Sequence, residues 1–398
     1  MQEAAQAAID RTVSRADHSL MSTVRLLKNG SEVFPAMLAA IDGAASSLAL
    51  EMYIYSDDGT GREFRDRLVA AARRGVQVRV LIDALGSWTL ADSFWRDLRQ
   101  AGGEARWFRP IRRGLLPFRN HRKLLLVDDR ITFIGGLNIG DEYYRGKGGE
   151  PPWRDNALEL TAGEAKRLQA SFQRMWERAE KPLRLRFRSR DAGRPATSAW
   201  LPEGSNVLVL ESGPEDPFHP VRRAFGRLVR RSQQSIDLAM SYFTPPGRIL
   251  RDLRRAVRRG VRVRLLFPER SDVAIARWAA RGLYGRLLRA GMEVWEYRPA
   301  MLHAKLAIMD DTVVAGSANL DIRSGRINHE LVAAVTDRDL ATKARSDFED
   351  DLRSSICIRF EDWKGRPLLQ KLKERLSYWL LSRADPFLSR TRLARMKW

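Results

Sequence analysis

The chain predicts an α/β fold, built as two tandem α/β/α sandwich domains with mixed sheets and related by a pseudo-twofold axis. Three observations carry that prediction. Helical and strand periodicities alternate along the chain, the pattern of a sheet layered with helices. The segment Ala71–Val80 returns as Ala256–Leu265, and the run ending Tyr53-Ile54-Tyr55 returns as one ending Ser241-Tyr242-Phe243. A polar motif, H-x-K-x4-D, also occurs twice: His121, Lys123 and Asp128, then His303, Lys305 and Asp310. The offsets of these matches are 185, 188 and 182 residues, so one domain has been duplicated.

The elements of the first copy follow in order. Val33 to about Ala45 has helical apolar spacing, and Leu48–Tyr55 reads as a strand. Arg62–Arg74 reads as a helix closed by Gly75, which suits a C-terminal cap, and Val76–Ile82 as the next strand. Arg122–Val127 and Ile131–Ile134 read as strands joined by an Asp128-Asp129 turn. The run Leu124-Leu125-Leu126-Val127 suits a strand buried on both faces. The expected boundaries are an extension over 1–23, a first domain over 24–180, a polar basic linker over 181–202, a second domain over 203–352 and a basic amphipathic tail over 353–398.

Length and composition bound the partners. A chain of 398 residues is long enough for two sizeable cores. Its 70 Lys and Arg against 49 Asp and Glu give a formal charge of +21, and 59 of the cations are arginine. The planar guanidinium fork suits phosphate oxygens, so a polyanion is expected, either nucleic acid or an anionic membrane. The lone Cys357 excludes an internal disulfide framework and suits a reducing compartment. Neither a signal-peptide core nor an apolar stretch of about eighteen residues is present, so membrane contact is expected to be peripheral, at the cytoplasmic face. His18, His219 and His329 have no ligand spacing, and no phosphate-loop or dinucleotide motif occurs, so neither a metal nor another cofactor is expected. Asp57-Asp58-Gly59 reads as a loop after a strand.

The doubled motif points to phosphoryl chemistry. Residues i and i+2 of a strand face the same way, so His121 and Lys123 share one cavity, as do His303 and Lys305. Asp128 and Asp310 complete the two motifs and count with their histidines and lysines as candidate catalytic residues, although they fall in turns at the opposite parity and are expected to be structural or to hold the partner half. Each motif is followed by glycine and then asparagine, in Gly135-Gly136-Leu137-Asn138 and Gly316-Ser317-Ala318-Asn319. Asn138 and Asn319 are candidates for binding substrate phosphate where glycine allows close approach. Two imidazoles, two amines and two amides meeting at one phosphate can attack phosphorus, protonate a leaving alcohol and stabilise charged oxygens. An attacking imidazole needs a carboxylate on its other nitrogen. Asp155 and Glu330, at equivalent places in the repeat, are the expected orienting pair.

These residues resemble the phospholipase D superfamily, and within it the bacterial cardiolipin synthases of the B type. The resemblance covers roughly residues 24 to 352, including Asp321-Ile322-Arg323-Ser324 and Asn328-His329-Glu330. It implies two phospholipase D-like domains and a metal-independent, two-step transfer through a phosphohistidine. It also implies that His121 is the nucleophile and His303 the acid, with phosphatidylglycerol as donor and acceptor. The near-symmetric halves do not themselves separate those roles.

Two segments bear on membrane against nucleic acid. Between Arg109 and Arg119, arginines alternate with apolar residues just before His121, which suits a loop dipping into headgroups or one packed back on the domain. In the tail, Leu368, Leu369, Leu372, Leu376, Trp379 and Leu380 share a helical face with Lys371, Lys373, Arg375 and Arg383 on or near the other. Such a helix reads as membrane-binding, or as docked on its own domain. Trp88, Trp95 and Trp107 have the spacing of cores and loops rather than of a base-stacking groove. The expected partner is therefore anionic phospholipid at a membrane surface. A hydrolytic phospholipase D, a nuclease and a non-catalytic lipid binder stay open as alternatives.

Overall fold

In the computed structural model the residues described are 23–110, 118–161, 164–180, 205–214, 216 and 219–384. The N-terminal extension before Thr23, the linker, the loop from Ile111 to Pro117 and the tail beyond Ala384 lie outside them. The first half runs β1 (Thr23–Lys28), α1 (Asn29–Asp42), β2 (Ser47–Met52), α2 (Gly59–Arg73), β3 (Gln77–Asp83), α3 (Arg96–Gln100) and β4 (Glu104–Phe108). It continues with β5 (Leu124–Val127), β6 (Ile131–Gly135), α4 (Asp141–Tyr144), β7 (Asn156–Thr161) and α5 (Ala165–Glu180).

The second half repeats the plan: β8 (Val207–Ser212), α6 (Pro220–Arg231), β9 (Ser235–Met240), α7 (Gly247–Arg258), β10 (Arg262–Pro268), α8 (Ala274–Arg289) and β11 (Glu293–Tyr297). Then come β12 (Lys305–Met309), β13 (Thr312–Gly316), α9 (Ile322–Arg326), β14 (Glu330–Thr336) and α10 (Arg338–Arg353). The segment expected as a separate tail adds β15 (Ser355–Cys357), α11 (Phe360–Lys364) and α12 (Leu368–Trp379).

The duplication is explicit in the sheets. The first has the order β1-β7-β6-β5-β2-β3-β4, and the second β8-β14-β13-β12-β9-β10-β11 with β15 added at its edge. In each, three neighbouring strands are parallel and the rest antiparallel, the mixed sheet expected. One apolar layer is common to both halves: Leu124, Leu126, Leu158 and Leu160 belong to the same buried cluster as Leu306, Ile308, Leu331 and Val335. The outer face of each sheet carries its own core under helices. Burial of this shared layer holds the two halves face to face.

Two strands are shorter than their patterns suggest, one at its end and one at its start. The strand through Tyr55 stops at Met52, because Tyr53 and Tyr55 give their backbone groups to the Ser87 hydroxyl. The strand from Arg122 begins only at Leu124, because the residues before it are bonded to buried carboxylates and to the other half.

Asp128 and Asp310 close the β5–β6 and β12–β13 turns with φ of 51° and 49°, a left-handed conformation that aspartate tolerates. Asp128 accepts hydrogen bonds from the N–H groups of Ala45, Ser46 and Ser47 and from the Ser46 hydroxyl, at 2.7–2.8 Å. Asp310 does the same for Gln233, Gln234 and Ser235 at 2.8–3.0 Å. Each therefore ties its own domain together in a structural role and does not hold the partner half. Although partial burial alone would raise it, these donors bring the Asp128 pKa down to about 2. Across the halves, Arg154 makes a buried two-pronged ion pair with Asp351 at 2.8–3.1 Å.

Asp128→Ala is expected to remove roughly 2–3 kcal/mol of stability by stranding three backbone donors, read as a lower urea midpoint. Turnover below the new transition should stay within a few-fold of the parent. Arg154→Ala leaves Asp351 buried without its partner and should cost about 3–5 kcal/mol, measured by the same titration. A loss under 1 kcal/mol in Arg154→Ala, on the order of an exposed pair, would show that the interface does not depend on this ion pair.

Candidate active site

Two short backbone pairings bring the repeated motifs to one place. Asn120 and His329 form an isolated parallel bridge, and so do Arg154 and Leu302. The His121 N–H donates to the His329 carbonyl at 3.0 Å, and the His303 N–H to the Arg154 carbonyl at 2.7 Å. The segment entering each motif is thus joined to the opposite half. Buried carboxylates hold the first segment from behind. Asp83 accepts from Arg119 Nε at 3.0 Å and from the Asn120 N–H at 2.9 Å, while Glu51 accepts from Asn120 Nδ2 at 2.6 Å.

The side chains follow the backbone. His121 Nδ1 lies 3.1 Å from Glu330 Oε2, and His303 Nδ1 lies 2.7 Å from Asp155 Oδ2. Asp155 and Glu330 were expected to orient the histidines, and the pairing proves to be crossed: each serves the imidazole of the other half. All four groups are buried. An ionised carboxylate only accepts, so His121 carries its hydrogen on Nδ1 and keeps a lone pair on Nε2; the bond to Asp155 favours the same tautomer for His303, whose Nδ1 and Nε2 also lie 2.8 and 3.2 Å from the Lys305 ammonium.

Electrostatics prepare the site for an anion. Burial and the charge of Lys123 lower the His121 pKa, and burial and Lys305 bring that of His303 down to about 4. Lys123 is lowered to about 7 by burial and by Lys305, and Lys305 is lowered by burial. Burial alone would raise Glu330, but His121, Lys123 and Ser317 together hold it below the usual carboxylate value. The Lys123 ammonium donates to the His121 carbonyl at 2.8 Å and sits 5.2 Å from the centre of the Tyr53 ring. Lys305 reaches the Ser241 hydroxyl at 3.2 Å and the His303 carbonyl. Among the described residues no cluster of three or more His, Cys, Asp or Glu is placed to hold a metal.

The asparagines are engaged differently from each other. Asn138 accepts from the Ile54 N–H at 3.1 Å and donates to the Tyr143 hydroxyl at 2.7 Å, which takes one of the two hydrogens of its amide. Asn319 Oδ1 accepts from the Ser241 hydroxyl at 3.0 Å, which fixes the direction of its amide. Asp128 and Asp310, one strand length away, do not enter the site. The glycine pair also divides by half. A Cβ on Gly136 would fall 2.3 Å from Asp155 Oδ1, whereas the equivalent Ser317 donates its hydroxyl to Glu330. Gly136 therefore admits one carboxylate, and Ser317 grips the other.

Motif reading missed the aromatic walls. Tyr53 stands edge-on to His121 at 4.8 Å, while Tyr143, Trp153 and Tyr242 surround His303 at 5.4, 5.6 and 6.4 Å between ring centres. Tyr53 and Tyr242 lie at the ends of the repeated strands, and that position was their only signal. Tyr143 lies on the short helix α4, outside every repeated segment.

The chain matches the family model described as cardiolipin synthase, PLD-like domain, over residues 37–176 and 226–352. It is 34% identical to the major cardiolipin synthase ClsA of Bacillus subtilis over 363 residues, which cover 89% of this chain and 74% of that protein. Cardiolipin synthase of Geobacillus kaustophilus is 35% identical over 371 residues, covering 90% and 72% respectively. Among solved structures, phosphatidylserine synthase of Haemophilus influenzae superposes with a TM-score of 0.66 at 15% identity, covering 92% of this chain and 94% of that one. Polyphosphate kinase of Porphyromonas gingivalis gives 0.56 at 14% identity, over 93% of this chain and 53% of the kinase, and shares the fold alone. With two matched regions and relatives 34–35% identical along most of its length, the chain belongs to the cardiolipin synthase PLD-like domain family.

Proposed function

We propose that the chain is a phosphatidyltransferase that makes cardiolipin from two molecules of phosphatidylglycerol. The observation that carries the reading is the crossed pair of histidine–carboxylate hydrogen bonds, which presents two imidazole Nε2 atoms beside two buried lysines. The likeness to cardiolipin synthases over nine-tenths of the chain supports the choice of lipid.

In the first step His121 Nε2 attacks the phosphorus of the donor. An N–P bond forms, the P–O bond to the headgroup glycerol breaks, and His303 gives a proton to the departing oxygen. In the second step the acceptor hydroxyl of another phosphatidylglycerol returns a proton to His303 and attacks phosphorus. The N–P bond then breaks and His121 is regenerated. Lys123 and Lys305, with Asn138 and Asn319, bind the non-bridging oxygens, and exclusion of water keeps phosphatidic acid from forming instead. Lipid substrates place the work at a membrane surface, and among the described residues no helix is long and apolar enough to cross a bilayer.

A His303 pKa of about 4 leaves its imidazole neutral at pH 7, so the proton for the leaving group must be taken up as the substrate binds. The phosphodiester anion favours the charged forms of His303, His121 and Lys123, raising their pKa values. Binding of dimethyl phosphate, a monoanion at pH 7, should therefore take protons up from solution. Calorimetry in buffers of different ionisation enthalpy reads this directly, and binding without uptake would reject the acid role of His303.

Purified protein with phosphatidylglycerol vesicles should yield cardiolipin and glycerol by mass spectrometry. His121→Ala and His303→Ala should each lower turnover by about 10³-fold or more. With phosphate-labelled donor, a denaturing quench at alkaline pH, where an N–P bond survives, should trap the label on His121; label on His303 would reverse the two roles. Phosphatidic acid as sole product would make water the acceptor. Cleavage of DNA with no lipid product would overturn the reading.

A further inference from the structure

The amphipathic helix expected in the tail is α12, and it docks through its polar side. Its buried residues are Glu374 and Ser377, whereas Leu368, Leu369, Leu372, Leu376 and Trp379 are 52–82% exposed. Glu374 is held by Arg366 at 2.8 Å, Gln370 at 3.1 Å and Arg281 at 3.3 Å. Gly282 lets the two helices touch, since a Cβ there would lie 2.8 Å from the Glu374 carbonyl oxygen. Lys373 closes the contact over the Trp278 ring at 4.0 Å. The polar face is used up by the protein, and the face left outward is apolar.

Cations border that face on both sides. At 3.6 residues per turn the five apolar residues cover an arc of about 100°. Lys373 lies next to one edge, with Arg375 and Lys371 next to the other. Behind Lys371 and Arg375, a cavity of about 590 Å³ opens between α8, α11 and α12, with Arg286, Arg289 and Lys364 also on its wall.

Helix α8 connects this surface to the site. At its start Val273 and Ile275 are about 40% exposed. The preceding Asp272 accepts from the Tyr242 hydroxyl at 2.7 Å, and Tyr242 is part of the wall around His303. In the other half, Trp88 is 72% exposed on the loop whose Ser87 holds Tyr53, the ring beside His121. Exposed apolar side chains thus stand on both loops that support the site walls.

We propose that the outward face of α12 is a docking surface for an anionic lipid bilayer. Its leucines and Trp379 enter the acyl boundary, while Lys371, Arg375 and the basic cavity behind them take headgroup phosphates. This rests on the reading of the chain as a phosphatidyltransferase. Charge complementarity selects the occupant: a chain of net charge +21 with cations along both edges of the face matches an anionic surface, and a second copy would bring like charge against like.

The test compares the full-length protein with Leu369→Glu/Leu372→Glu and with Lys371→Gln/Arg375→Gln. All four side chains lie outside the core, and circular dichroism checks that the fold is kept. Co-sedimentation should be at least tenfold stronger with phosphatidylglycerol vesicles than with phosphatidylcholine vesicles, and each double variant should lose tenfold or more of it. Turnover on vesicles should fall in parallel, while turnover of short-chain phosphatidylglycerol dispersed below its micelle concentration stays within twofold. Unchanged sedimentation of the glutamate variant would overturn the proposal, as would light scattering that shows a dimer in the parent and a monomer in that variant. If the parent fails to turn over dispersed lipid, the reaction assigned above is wrong, and vesicle partition still decides the docking surface by itself.

Discussion

Each half of this molecule depends on a carboxylate from the other to give its histidine a defined tautomer. That crossed dependence is the constraint under which the rest of the structure is arranged. Within its own half each imidazole faces a lysine, and the carboxylate on its Nδ1 comes from the other half. The two backbone bridges at Asn120–His329 and Arg154–Leu302 set the register within which both hydrogen bonds form. The shared apolar layer and the Arg154–Asp351 pair hold that register against slippage. Displacement of a catalytic group by about 1 Å can cost a hundredfold in rate. A composite site of this kind therefore needs an interface packed like a core.

The same burial that aligns the site also weakens its positive charges. Two lysines withdrawn from water and set near each other have lowered pKa values, and both imidazoles are held neutral. Such a cavity is uncomfortable when empty and is relieved by an anion, the condition under which preorganised charges stabilise a transferring phosphoryl group. The symmetry is one of backbone more than of chemistry. Ser317 answers Gly136, and Ser241 answers Tyr53 in the repeat, so Glu330 and Lys123 have surroundings that Asp155 and Lys305 do not. A reaction that asks one imidazole to attack and the other to carry a proton requires that kind of inequality.

Much of the fold was legible because duplication doubles every signal. The alternation of periods, the repeated Ala71–Val80 segment and the paired motif together specify two mixed sheets of one plan. The turn position and parity of Asp128 and Asp310 already separate them from the histidines and lysines. The crossing of Asp155 and Glu330 could not be read from the chain. Equivalence in a repeat fixes where a carboxylate sits in its own domain, and docking decides which histidine it meets. The aromatic walls escaped for a related reason. Tyr143 acts on His303 from the opposite half, on a four-residue helix with no pattern of its own.

Helix α12 shows a similar gap between pattern and placement. The spacing of its leucines identifies which residues segregate to one side, and ordinary globular packing would turn that side inward. What reverses it lies outside the helix: Gly282 provides the close approach, and Arg281 and Arg366 supply the charge that makes burial of Glu374 tolerable. A buried carboxylate without those partners would be expelled to solvent, and the helix would rotate its leucines down. Periodicity thus states that a helix has two unlike faces. The residues that receive it determine which face the solvent or a membrane meets.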